Sequence, residues 1–279
     1  PLYYLIICSV INIVLDLVLI LVIPLGVLGA AIATLIAQAV SAVMVTVTLM
    51  YRTEGMKLCL SRIRIYKKML GNIFRIGFPA GLEAILYSVS NIIVQVAINN
   101  FGVDTMAAWT AYSKIDFIFW MINSAFGISI MTFVGQNYGA GKWDRIRKGT
   151  KICLGMALVS AVFVSVVLMT AERTLFGIFV NDAAVIDIGI RMMNVIAPAY
   201  MLFAFIEVFS GALRAQGAVL VSTLITMIGI CAFRMVWVMV IAAHGTLEQV
   251  IFCYPVTWLV SAILISIYYV YKQKKIFNA

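Results

Sequence analysis

Eight apolar stretches, each at least 20 residues long, constrain this chain more than any other feature of its sequence. They fall at roughly 3–23, 27–50, 77–99, 106–134, 152–171, 189–213, 219–242 and 249–271. A helix needs about 20 apolar residues to cross the hydrocarbon core of a bilayer. Turn residues or charges separate most of the stretches: Pro24-Leu25-Gly26, Phe101-Gly102-Val103-Asp104, Asn181-Asp182, Gly217 and His244-Gly245. The expectation is an all-α polytopic membrane protein with about eight spanning helices. Composition agrees. Only 11% of the 279 residues are charged, against about 25% in a typical soluble domain, too few to cover a water-facing surface. No stretch is left for a separate soluble domain.

A net charge of +9 would suggest nucleic acid in a soluble protein. Here the placement of the charges excludes that partner. Sixteen of the 20 Lys and Arg residues fall on one side of the predicted membrane: from Arg52 to Arg75, from Lys142 to Lys151, at Arg214, and from Lys272 to Lys275. The positive-inside rule then puts both ends of the chain in the cytoplasm. Residues 52–76 read as an amphipathic linker. Leu58, Leu60, Ile63, Met69, Ile73 and Phe74 alternate there with basic residues, as in a helix lying on the cytoplasmic lipid surface. A solvated basic connector is the other reading. The five cysteines are scattered without a CxxC and read as packing residues, with no metal and no disulfide.

A weak repeat organises the chain. Ser41-Ala42-Val43 with Met50-Tyr51-Arg52 matches Ser261-Ala262-Ile263 with Val270-Tyr271-Lys272. Each half of the repeat closes a helix pair, and transporters are commonly built from such repeats. On this reading 1–51 are the last two helices of an N-lobe. Residues 52–76 join the lobes, and 77–279 form a six-helix C-lobe with a short basic tail. The chain opens at Pro1 inside an apolar run, so four further N-lobe helices are expected to precede it.

Charged side chains within the apolar runs cost about 2.5–3.5 kcal/mol each or more, so each is a functional candidate. They are Asp16, Glu83, Lys114, Asp116, Glu207 and Arg234. Asn12 lies one turn before Asp16, and Thr34 is at similar depth on the next helix. This oxygen-rich set suits Na⁺, or a carboxyl group that trades a proton, or a structural hydrogen bond between helices. Glu83 lies one turn past Pro79, which should kink or open the helix start, and it faces either a cavity or an interface. Glu207 invites the same two readings. Lys114 and Asp116 do not share a helix face, so each should meet another helix, as an ion pair or at substrate. Arg234 suits a partner role toward a carboxylate or backbone carbonyls. Tyr87, Trp109, Phe117, Trp120, Met121 and Phe203 either line an adaptable cavity or simply pack and face lipid. His244 belongs to an external turn. Gly135-Gln136-Asn137-Tyr138-Gly139-Ala140-Gly141-Lys142 is not a phosphate loop: the glycine spacing is wrong and Trp143 stands where Ser or Thr is needed.

Several segments resemble the multidrug and toxic compound extrusion (MATE) family. Asn12-Ile13-Val14-Leu15-Asp16, with Gly26 to Thr34 and Gln38, resembles its fifth and sixth helices. Gly77-Phe78-Pro79 resembles the start of the seventh. Gly135-Gln136-Asn137-Tyr138-Gly139-Ala140-Gly141 resembles the junction after the eighth, and Gly211-Ala212-Leu213-Arg214-Ala215-Gln216-Gly217 the junction after the tenth. The resemblance implies twelve helices in two lobes around a central cavity. It also implies export of amphipathic, often cationic, compounds in exchange for H⁺ or Na⁺. By the same resemblance Asn12, Asp16 and Thr34 match the N-lobe cation or proton site. Leu17 follows Asp16 where the family often has Pro, and Glu83 and Glu207 fall about a turn from the family's acidic positions.

The sequence therefore reads as a secondary antiporter of a plasma or inner membrane, exporting small amphipathic compounds with no cofactor beyond the coupling ion. Lipid bilayer and small-molecule substrates are its expected partners, and the full-length protein is expected to work as a monomer. A flippase for a lipid-linked saccharide is the alternative, and it would favour a basic cavity. A membrane enzyme would need clustered catalytic or metal-binding groups, and none is apparent.

Overall fold

The computed structural model describes residues 2–51, 58–59, 64–241 and 245–277. Among the described residues all regular structure is helical, and eight helical stretches are long and apolar enough to cross a membrane. The chain is an all-α polytopic membrane protein. Leu35, Val159, Ile267 and many other large apolar side chains are exposed. Water would not tolerate such a surface, but lipid favours it.

The chain divides into two compact units, Pro1–Leu70 and Gly71–Ala279. In the first, α1 (Leu2–Leu17) widens into a π-helical turn at Val18–Val22 and returns as α2 (Gly26–Tyr51). Gly26 turns the chain at φ +54°, a conformation that suits glycine. The buried residues of α2 are Gly29, Ala33 and Ala37, one per turn. Such a small-residue stripe lets two membrane helices approach closely. The Tyr4 hydroxyl and Thr48 Oγ1, 2.7 Å apart, tie the far ends of the pair together.

In the second unit run α3 (Lys67–Asn99), α4 (Val103–Gly139), α5 (Trp143–Thr170), the short α6 (Glu172–Gly177) and α7 (Ala183–Ile196). A single 3₁₀ turn at Ala197–Ala199 leads to α8 (Tyr200–Ala215). Pro198 supplies the break, and the Ser165 hydroxyl of α5 donates to the Ala197 carbonyl there. The next span alternates: α9 (Val219–Thr226), a π segment, α10 (Phe233–Val236), and a second π segment from Trp237. After α11 (Leu247–Ile251), α12 (Cys253–Phe277) closes the unit. The core is aromatic: Tyr112, Phe119, Tyr200 and Trp258 are fully buried, and the rings of Phe119 and Tyr200 stack 3.9 Å apart.

Element positions differ from the sequence reading in places. α3 begins at Lys67, so residues 67–76, read as linker, are helical. Pro79 lies inside α3 without ending it. Met69, Ile73 and Phe74 are exposed on that extension, as are the basic residues beside them. The other linker positions 52–57 and 60–63, and His244, lie outside the described residues. The Gly135–Gly139 stretch, read as a junction, continues α4; the turn comes at Gly141, with φ +67°.

Candidate functional site

Of the predicted charged residues, Glu83, Asp116 and Glu207 line two adjoining cavities in the second unit, Lys114 and Arg234 line neither, and Asp16 lies on α1 of the first unit outside the lining of the cavity that Asn12 and Thr34 share. In the first unit, Asn12 of α1 and Thr34 of α2 line one cavity of about 190 Å³. The Thr34 hydroxyl donates to the Ala30 carbonyl at 2.9 Å. Asn12 Nδ2 and Asp16 Oδ1 are buried without hydrogen-bond partners. Unsatisfied buried polar atoms in an apolar pair are costly, and here they are a donor and an acceptor one helical turn apart. The π turn that begins two residues after Asp16 widens the helix at that point. A π turn of this kind often accompanies a functional position.

In the second unit, Glu83 of α3 and Glu207 of α8 line a cavity of about 180 Å³. Glu83 is held from two sides. Arg214 Nη2, in the last turn of α8, donates to Oε1 and Oε2 at 2.8 and 2.9 Å. Thr226 Oγ1 of α9 donates to Oε1 at 2.8 Å. The Glu207 carboxylate lies against Gly127 of α4, where any Cβ would collide with it.

Glu207, Tyr87 and Phe203 also line a second cavity of about 680 Å³. Trp109, Trp120, Tyr254 and Trp258 give it aromatic walls, and Asp116 puts a carboxylate into it. Asp116 accepts from Trp120 Nε1 at 2.6 Å and from the Tyr200 hydroxyl, which is itself 3.1 Å from that of Tyr112. Among the described residues, no lysine or arginine lines this cavity. Lys114 stands apart on an adjoining recess with Phe117, its Nζ 5.5 Å from the Phe179 ring centroid. So Asp116 meets one other helix, through the Tyr200 hydroxyl of α8, while its indole donor Trp120 lies one turn along α4 itself. Of the ion-pair and substrate readings the sequence offers, no ion pair forms at Lys114 or Asp116 among the described residues, and Asp116 faces the cavity.

Arg234 is fully buried behind these walls. Its Nη1 donates to Asn91 Oδ1 at 2.9 Å, and its guanidinium lies 4.3 Å from the Tyr254 ring centroid and 5.8 Å from that of Tyr87. The sequence reading expects a carboxylate or backbone carbonyls; the partners are an amide and aromatic faces, an arrangement arginine favours over lysine. Nε and Nη2 have no partner.

Sequence reasoning passed over Arg214, placing it in a loop, and gave no weight to Thr226, Tyr200 or Asn91. Arg214 had a signal: it is a lone basic residue at the end of a span that contains an acid. The other three carry uncharged polar groups, and nothing in a linear pattern marks them.

Known proteins resemble this chain throughout. The MatE family model matches residues 79–240. A probable multidrug resistance protein, YoeA of Bacillus subtilis (strain 168), is 28% identical over 287 residues; the match covers 99% of this chain and 62% of that protein. The multidrug export protein MepA of Staphylococcus saprophyticus is 26% identical over 247 residues, with 84% of this chain and 54% of the relative covered. This chain thus spans roughly three-fifths of the length of these curated relatives. A solved outward-facing multidrug resistance MATE family transporter of the MOP superfamily has a TM-score of 0.89 at 19% identity over 99% of this chain and 63% of that one. A MOP superfamily transporter from Pyrococcus furiosus, described as having a binding pocket of reverse polarity, has a TM-score of 0.88 at 20% identity, covering 98% of this chain and 62% of that one.

Proposed function

Because this chain belongs to the MatE family of multidrug and toxic compound extrusion transporters, we propose that it is the greater part of a secondary antiporter that exports small amphipathic, cationic compounds in exchange for H⁺ or Na⁺. In this reading residues 1–51 close an N-lobe, 52–76 join the lobes, and 77–279 form the C-lobe. Both ends of the chain are cytoplasmic and the full-length protein acts as a monomer. The relatives named above, a multidrug resistance protein and a multidrug export protein, support the drug-export part of it.

One observation carries the substrate class. The 680 Å³ cavity has aromatic walls and two carboxylates, Asp116 and Glu207, and no basic side chain among its described lining. Aromatic faces and carboxylates attract cations and flat apolar bodies. A lipid-linked saccharide carries a pyrophosphate, and its flippase would need basic groups there. The nearest buried base, Arg234, is shielded behind Tyr87, Tyr254 and Asn91.

Asn12, Asp16 and Thr34 are the proposed coupling site. The unpartnered Asp16 Oδ1 and Asn12 Nδ2 support this reading. Either Na⁺ or a proton would satisfy that carboxylate. An ion that binds one state more tightly biases the conformational equilibrium toward it.

The test follows efflux of a fluorescent cationic dye by the full-length parent protein in drug-hypersensitive cells. Wild type and Asp16→Asn are compared under an imposed pH gradient and then under an Na⁺ gradient. Gradient-driven efflux that disappears in the variant supports the antiporter, and the effective gradient identifies the ion. Efflux indifferent to the substitution makes Asp16 structural. No dye efflux under either gradient favours the flippase.

A further inference from the structure

On the outer side of the second unit, α4 and α5 leave an apolar groove of about 380 Å³ that takes no part in the site described above. Phe126 and Phe133 of α4 form one wall; Gly149, Ile152, Cys153 and Met156 of α5 form the other. The missing side chain at Gly149 lets the Phe133 ring seat directly on α5, where a Cβ would collide with it, so that ring floors the groove at this end. It lies within two spanning helices, and Ile152 and Met156 are each more than half exposed. In a bilayer such a groove is filled by lipid chains.

The end of the groove is not neutral. Arg145 and Lys148 lie one turn before Gly149 and Ile152, on the same face of α5, because residues three, four and seven apart share a face. Both are exposed, and among the described residues neither makes an ion pair. Lys151 is about 60° around α5 from Lys148 but about 100° or more from Arg145, Gly149, Ile152 and Met156, so it stands beside the apolar row rather than on it. The depth is right for a headgroup. Trp143 and Tyr138 pack edge to face, their ring centroids 5.1 Å apart, at the turn between the helices. Aromatic pairs of this kind settle at the membrane–water interface. The apolar row from Gly149 to Met156 covers about 10 Å of helix, enough to seat several methylenes of one acyl chain.

We propose that this groove is a binding site for an anionic phospholipid, with an acyl chain along Gly149, Ile152 and Met156 and the headgroup phosphate on Arg145 and Lys148. Charge complementarity selects the occupant: a neutral lipid would fill the groove equally well but leave the two cations unanswered. Basic pockets between membrane helices at this depth are a recurrent way of holding acidic lipids.

Native mass spectrometry of the purified full-length parent protein in detergent, titrated with dioleoyl phosphatidylglycerol or dioleoyl phosphatidylcholine, tests this. The wild type should retain the phosphatidylglycerol about tenfold more tightly than the phosphatidylcholine. The exposed double variant Arg145→Gln, Lys148→Gln should lose that preference, while Lys151→Gln, off the row, should keep it. Ile152→Trp should block the groove and weaken both lipids. Glycerol 3-phosphate, a headgroup without chains, should not compete. Equal retention of the two lipids by wild type overturns the proposal without any variant. So does equal loss in Lys151→Gln, which would indicate diffuse interfacial charge, or full competition by glycerol 3-phosphate, which would indicate a phosphate site alone.

Discussion

Arg214 grips both carboxylate oxygens of Glu83 through one nitrogen, 131 positions away in the chain. The pair joins the last turn of α8 to α3. Glu83 is shielded more than Arg214, with 17% and 34% of their side chains exposed. Removing one partner of a buried pair leaves the other charge uncompensated, which costs about 3–5 kcal/mol in a fully dry site. Here the arginine keeps some solvent, so Glu83→Ala should cost less, about 2 kcal/mol. Glu83→Gln retains an oxygen for Thr226 and should cost about 1 kcal/mol. Thermal unfolding in detergent checks both. An Arg214→Met change in the Glu83→Ala background should add little, because the pair acts as a unit.

Asp116 presents its carboxylate to an aromatic cavity while Tyr200 and Trp120 hold it in place. Asp116→Asn keeps the shape and removes the charge. Affinity for a cationic dye should fall about tenfold, equivalent to about 1.4 kcal/mol, with affinity for an uncharged analogue unchanged. Equilibrium dye binding to the full-length protein measures both. Equal losses for the two dyes would make the residue structural.

The span boundaries and the buried acids were readable because hydropathy and charge are local properties of a sequence. Asp16, Glu83, Asp116 and Glu207 each interrupt an apolar run, and such an interruption needs no tertiary knowledge to notice. Their partners were not readable. The Tyr200 hydroxyl that holds Asp116 lies 84 positions away, and Tyr is equally at home facing lipid or core. Arg234 looks like half of an ion pair because a charge suggests its opposite; it is held by ring faces and an amide that carry no charge to advertise. Pro79 lies more than three turns inside α3 and does not end it, because a membrane helix tolerates the loss of one backbone donor. The helical course of Gly135 to Gly139 was hidden by glycines that usually signal turns.

Arg234 has two unpartnered guanidinium nitrogens in a fully buried setting. Its charge is therefore a liability that its ring contacts only partly offset. Arg234→Met keeps the volume and removes the unsatisfied donors, so stability should be unchanged or higher. Arg234→Ala leaves a cavity and should lose about 3 kcal/mol. Denaturation midpoints of the two variants decide the matter; a large loss in both would mean that the charge itself is required.

Gly211 and Gly127 bring α8 and α4 into near backbone contact. A Cβ on Gly211 would sit 2.8 Å from the Gly127 carbonyl oxygen, which cannot move away without shifting the helix. A Cβ on Gly127 would instead meet the Glu207 side chain, which can rotate. Gly211→Ala should therefore destabilise by about 2 kcal/mol, as overpacking does. Gly127→Ala should cost less stability yet impair dye efflux by displacing Glu207 from both cavities. Thermal unfolding and efflux, measured on the same two variants, separate the effects.

Gly29 couples helix packing in the first unit to Asp16. A Cβ on Gly29 would lie 2.8 Å from the Leu19 carbonyl oxygen, inside the π turn that follows Asp16. That same oxygen accepts the Leu25 N–H at 2.9 Å, so it also holds the turn between α1 and α2. It has no room to yield: moving it away from Gly29 breaks the bond that closes the turn. Gly29→Ala must then push α1 off α2 near the π segment, at a cost of about 1–3 kcal/mol. Asp16, three residues before Leu19 on the same helical stretch, would be carried with it. The expected phenotype is loss of gradient-driven efflux in a protein that still has its carboxylate and still binds dye in the second unit. Dye binding together with efflux under the effective gradient checks this. Unimpaired efflux in Gly29→Ala would show that the proposed coupling role of Asp16 does not depend on the close packing of α1 and α2.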